Sequence, residues 1–222
     1  MGEIAARTAE TLRETFKAIP EESRDANQAF SIRVWRALSW LERSEAANDG
    51  DLEGRFVPLW IAFNALYGRM ADEGGIAPDR ASWQEFLARI IRADGTDQLG
   101  RVLWDEQLDV LRMIDSRYLF RPFWFGEQAE TDGKLKRARQ RAMKGYQSRT
   151  SPAVLQELFE RIYVLRQQIF HGAATCGSKV NRHTLRMGTR VLSGIIPVMI
   201  EIMIASGPDT DWGEVCYPPI TP

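Results

Sequence analysis

The chain has 222 residues, 44% hydrophobic and 27% charged, which fits one large domain with a substantial core and excludes wholesale disorder. Its net charge of -1 conceals an asymmetry: residues 134 to 190 hold thirteen Lys/Arg against two acids, or +11, and the remainder holds 16 against 28, or -12. Two histidines and two cysteines, with neither CxxC nor HExxH, argue against a zinc site or a secreted disulfide framework.

The stretch from Met1 to Lys17 alternates Glu and Arg and lacks the apolar core of a signal peptide. Residues 1–20 are expected to form an N-terminal helical extension, 21–206 the main helical domain and 207–222 an irregular tail. Ala26 to Ala47 places Phe30, Val34, Ala37, Leu38 and Leu41 at three- and four-residue steps, an amphipathic helix ended by Asn48-Asp49-Gly50-Asp51. Phe56 to Met70 is apolar nearly all round and reads as a central helix with Pro58 in its first turn. Gly74-Gly75 and Pro78 form a loop, and Ser82 with Glu85 reads as a capping box for a helix to about Arg92. Thr96 or Asp97 opens the next helix, to about Asp115.

The aromatic patch Tyr118 to Phe125 is read as core anchoring ahead of ligand binding. Lys134 to Gln147 forms an exposed basic helix, and Ser151-Pro152 opens another as N-cap and first residue, stopped by Gly172. A last helix runs from about Ser178 to Ala205. Its apolar part, from Val191, contains Pro197 and Glu201 and reads as a buried helix rather than a membrane span. No segment alternates as a strand does. The chain is expected to be all-α.

One segment stands out chemically. Arg166 and His171 lie five residues apart at the end of an apolar helix, about 140° apart around its axis. They converge only through a distorted helix end or through a second copy. In a two-fold dimer, crossed helix ends would bring two Arg166 and two His171 side chains into one cleft. Cleaving RNA without metal requires a proton taken from the 2′-OH and one given to the 5′-oxygen. Histidine suits both roles, and arginine suits the phosphate. The alternative is a helix terminus stabilised by cations near its C-terminal dipole.

This Arg166-x4-His171 pattern is similar to the R-x4-6-H motif of the HEPN superfamily (higher eukaryotes and prokaryotes nucleotide-binding). Trp40 to Arg43, Phe56 and Leu59 to Gly68 resemble the first helical hairpin of larger bacterial members. His171-Gly172 followed by Ser178 to Arg182 resembles the turn into their last helix. The resemblance covers roughly residues 26 to 205. It implies an up-and-down bundle of HEPN type with additional helices, homodimerisation and metal-independent endoribonuclease activity, in toxin–antitoxin, anti-phage or RNA-processing settings. Arg166 would bind the scissile phosphate and His171 would move the proton. Where the family often has Asn, Asp or His after the arginine, this chain has Gln167.

Supporting positions follow. Asn64, inside an apolar helix, is expected to make a structural hydrogen bond to the motif region rather than to act directly. Ser178, Asn181 and Arg182 would cap the last helix or hold an anion there, capping being favoured for Ser178. His183 is read as an exposed or packing histidine. Lys134, Lys136, Arg137, Arg139, Arg141 and Lys144 would hold the RNA backbone. The expected partners are RNA, a second copy and an antitoxin or regulatory protein, with no cofactor, no metal and no membrane, in a cytoplasmic setting. The competing reading is a non-catalytic helical module binding a partner protein, nucleotide or RNA.

Overall fold

Local signals for helix starts and stops run through the whole chain, and the computed structural model describes residues 7–71, 77–173, 175–179 and 181–218. The described residues form eleven α-helices and one 3-10 turn, joined by loops, with one isolated bridge between Arg69 and Val215 and no strand. The all-α expectation holds. The Gly74-Gly75 loop falls outside the described residues, as do the first six residues and the last four.

α1 (Ala9–Lys17) starts on a reciprocal Thr8/Thr11 capping box and buries Leu12 and Phe16. The Phe16 ring meets Phe30 at 5.8 Å. α2 (Glu21–Ala26) buries nothing, and Asn27 then caps α3 (Gln28–Glu45) by accepting from the Phe30 N–H at 2.9 Å. Phe30, Val34, Ala37, Leu38 and Leu41 are all buried, as their spacing requires.

α4 (Leu52–Tyr67) begins four residues earlier than expected, because the Asp51 carboxylate accepts from the Gly54 N–H at 2.8 Å. Pro58 therefore sits inside the helix rather than in its first turn. Phe56, Leu59, Trp60, Phe63 and Leu66 are fully buried. α5 (Asp79–Ala93) also starts early, so Ser82 is not its cap: the hydroxyl donates back to the Pro78 carbonyl. Glu85 turns instead to Arg69 and Arg89.

The expected helix from Asp97 to Asp115 breaks at Glu106 into α6 (Gln98–Asp105) and α7 (Gln107–Ile114). Asp97 adopts a left-handed conformation, and Asp94 takes over the capping by accepting from the Gln98 and Leu99 N–H groups. A 3-10 turn (Arg117–Leu119) and α8 (Arg121–Trp124) carry the aromatic patch. Core anchoring holds there for Leu119 and Phe120 alone; Tyr118, Trp124 and Phe125 are exposed.

α9 (Gln128–Gln147) is the basic helix, with Ala138, Ala142 and Tyr146 turned inward. α10 (Ser151–Phe170) begins at Ser151 itself, whose hydroxyl donates to Asp97 rather than capping its own helix. α11 (Arg182–Ser206) begins four residues after Ser178, with Asn181 at its N-cap position and no side-chain cap bond. It packs on α1, α3, α4, α5, α6, α7 and α10, and Val191, Leu192, Ile195 and Ile196 are fully buried. The apolar run therefore behaves as a core helix, though by length and composition alone it could cross a membrane.

Arg33 on α3 is buried at 0% exposure. It donates to the carbonyls of Leu66 and Gly68 at the end of α4 and to those of Gly213 and Glu214 in the tail. Burial lowers its pKa to about 10. Arg36 donates to the carbonyls of Cys216 and Tyr217, so the irregular tail lies strapped to the bundle with Trp212 buried beneath it. Neither cysteine is bridged.

Candidate functional site

α10 remains helical through Phe170, and His171 is its C-cap. Gly172, at φ +68°, donates to the Ile169 carbonyl and Ala173 to that of Gln168, closing the helix end. The helix does not distort, so Arg166 and His171 keep the angular separation of an ideal helix within one chain. Arg166 is half-buried. Its guanidinium lies 4.7 Å from the Phe170 ring centroid and 6.0 Å from that of Trp60. Its Nε is buried without a hydrogen-bond partner. His171 is exposed, and among the described residues its imidazole makes no hydrogen bond or ion pair.

Beside Arg166 lies a polar cluster that the sequence reading did not assemble. The buried Tyr67 hydroxyl bridges Asn64 Oδ1, at 2.6 Å, and the Asp79 carboxylate. Burial pushes the Tyr67 phenol far above its usual pKa, Asp79 adds to this, and the charge of Arg166 opposes it. Tyr163, one turn before Arg166, is raised by burial and Asp79 and opposed by Arg166 in the same way. Asn64 thus bonds to a tyrosine next to Arg166. The available signals were Tyr163 at i-3 from Arg166 and Tyr67 at i+3 from Asn64; Asp79 comes from a third helix and carried none.

Gln167 faces away from Arg166, into a groove of about 820 Å³ between α9, α10 and the α8 corner. Lys134, Arg137 and Arg141 line its far wall. Of the expected backbone-binding residues, Lys134 pairs with Glu130, Arg139 with Asp115 at 3.7 Å and Arg141 with Glu157. Lys136, Arg137 and Lys144 are exposed and make no ion pair among the described residues. Lys136 and Arg139 border a separate hollow beside Asp115 and Asp132. Counter-charges from other elements therefore meet Arg139 and Arg141, and one from α9 itself meets Lys134.

Arg161 sits on the groove floor with 5% exposure, stacked 3.5 Å from the Phe120 ring centroid and 3.2 Å from Glu157. Burial lowers its pKa to about 10, against the opposing charges of Glu157 and Glu160.

Ser178, Asn181 and Arg182 meet Glu53 and Gln168 around a small cleft of about 30 Å³ at the end of α10. Arg182 donates to Glu53 at 2.6 Å and to the Gly50 carbonyl, and Glu53 also accepts from the Gly177 N–H at 3.0 Å. Glu53, near the start of α4, thus holds both the loop after α10, through Gly177, and the start of α11, through Arg182. His183 is exposed. Among the described residues no group of three or more His, Cys, Asp or Glu side chains converges as metal ligands would. Comparison with protein-family models, with curated proteins and with solved structures finds no match to this chain.

Proposed function

We propose that the chain is a HEPN-type endoribonuclease that acts without metal as a homodimer, with Arg166 and His171 of two copies around one phosphate. The observation that carries this reading is the state of the two side chains at the end of α10. The same helix end carries a cation stacked on Phe170 and free of carboxylate partners among the described residues and, five residues on, an exposed imidazole with no partner of its own. An unneutralised guanidinium is suited to a phosphate, and an unpartnered imidazole to proton transfer.

In the composite cleft one imidazole would take the 2′-OH proton as the 2′-oxygen attacks phosphorus. The imidazolium of the second copy would give its proton to the 5′-oxygen as the P–O5′ bond breaks. The products are a 2′,3′-cyclic phosphate and a 5′-hydroxyl. Arg166 would stabilise the charge that builds on the phosphoryl oxygens at the transition state.

The deciding experiment is RNA cleavage by purified protein in EDTA. Arg166→Ala and His171→Ala should each abolish it while leaving thermal stability and dimer mass unchanged. Cleavage that persists in both variants removes this assignment. A second reading, a helical module that binds a partner protein, nucleotide or RNA without cutting, draws on the separation of Arg166 and His171 around α10. One copy alone cannot bring them together, so a chain that stays monomeric at micromolar concentration would favour that reading.

A further inference from the structure

We propose that the groove between α9 and α10 is a binding site for a single-stranded polynucleotide, with Phe125 stacking a base and Arg121 and Arg137 neutralising phosphates. The inference rests on the ribonuclease reading only for the identity of the strand as RNA. The groove floor follows α10 from Gln156 to Gln167, and at ~1.5 Å per residue it is roughly 16 Å long. It ends at the residue adjoining Arg166. Gln168 also donates to the Tyr118 carbonyl at 2.9 Å, which fixes the aromatic corner to the same helix end.

Six cations and four carboxylates line the groove, a net excess of two. Three of the carboxylates are already engaged: Glu130 holds Lys134, Glu157 holds Arg141 and Arg161, and Glu160 holds Arg80. Arg121 and Arg137 have no carboxylate partner among the described residues. Arg121 lies instead 5.7 Å from the ring centroid of Phe125, which is 66% exposed.

An exposed aromatic ring sharing a groove with two guanidiniums that make no ion pair among the described residues fits the alternating bases and phosphates of a single strand. An apolar helix would have to strip water from Arg80, Arg121, Arg137 and Glu160 without replacing it. A duplex hides the faces that a ring could stack on.

The test uses the His171→Ala protein, so that cleavage does not interfere, and a fluorescein-labelled 12-nucleotide oligouridine. A duplex of the same length and free AMP serve as controls. The single strand should bind at least about tenfold tighter than either control, and Phe125→Ala should weaken it about tenfold while Phe125→Trp restores it. Arg137→Ala should reduce the slope of log affinity against log salt by about 0.7. Both side chains are exposed, so melting temperatures should not change. Failure to bind the oligonucleotide, equal affinity for the duplex, or indifference to both Phe125 variants would overturn the proposal. So would a Phe125 effect confined to self-association in sedimentation. Binding as described without cleavage by the wild-type protein would defeat the ribonuclease reading and leave the groove site standing. Cleavage with unaltered binding in Phe125→Ala would do the reverse.

Discussion

The guanidinium of Arg166 lies 4.7 Å from the ring centroid of Phe170, one helical turn further along α10. Phe170 is 42% exposed and is not among the residues packed against the core, and its ring carries the cation. A cation–π contact at such a site is worth roughly 0.5–1 kcal/mol. Phe170→Ala is expected to lower RNA cleavage roughly two- to fivefold through kcat, with almost no change in melting temperature. Arg166→Lys should lose far more, because an ammonium cannot present the planar fork. Equal kcat in wild type and Phe170→Ala would show that the ring does not orient Arg166.

The loop after α10 is held by Glu53. Burial pushes its carboxyl up, but the Gly177 N–H and Arg182 outweigh this and hold its pKa below the usual 4.5. A depressed folded-state value means stability that is fully present above pH 4.5 and is lost as pH falls through the lower folded value. Denaturant midpoints of wild type and Glu53→Gln, measured from pH 6 downward, should therefore converge below pH 4.5. A constant difference across that range would show that the carboxylate is not linked to folding.

At the turn between α9 and α10 a Cβ on Gly145 would lie 2.6 Å from Val154 Cγ2 and 3.0 Å from the Thr150 carbonyl oxygen. The second neighbour is backbone and cannot swing aside. Gly145→Ala is expected to destabilise the protein by about 1–3 kcal/mol, as overpacking does. Calorimetry would check this. A neutral result would mean that the two helices separate at their turn, which would also widen the groove.

Much of this fold was legible in advance where burial repeats along one helix. Phe30, Val34, Ala37, Leu38 and Leu41 all face the core, and Gly172 ends α10 in the left-handed conformation that glycine favours. Helix starts were read less well, because several candidate caps have other partners. Ser151 turns to Asp97, Ser82 bonds back to Pro78, and Asp94 does the capping assigned to Asp97. The surroundings of Arg166 were read only in part. Asn64 and Tyr67 share one helix, but Asp79 and Tyr163 arrive from two others, and no spacing rule joins three helices. The aromatic patch was misread in part because aromatic residues are usually buried, and composition does not separate Phe120 from Phe125.

Arg33 stands among apolar positions on α3, and its charge is met by main-chain carbonyls. Arg33→Met would leave those acceptors without their donor, at about 1–3 kcal/mol for each that water cannot reach. The expected fall in melting temperature is roughly 10 °C for a domain of this size. An unchanged melting temperature would mean that the Arg33 hydrogen bonds make no net contribution to the fold.

The spacing of those carbonyls also bears on synthesis. Two of them follow Arg33 by 180 and 181 residues. A nascent chain would carry this guanidinium until Gly213, the first of these two acceptors, is added 180 residues later. A chain that stops short of Gly213 would keep the Leu66 and Gly68 acceptors but leave the second arm of the Arg33 guanidinium without its carbonyls.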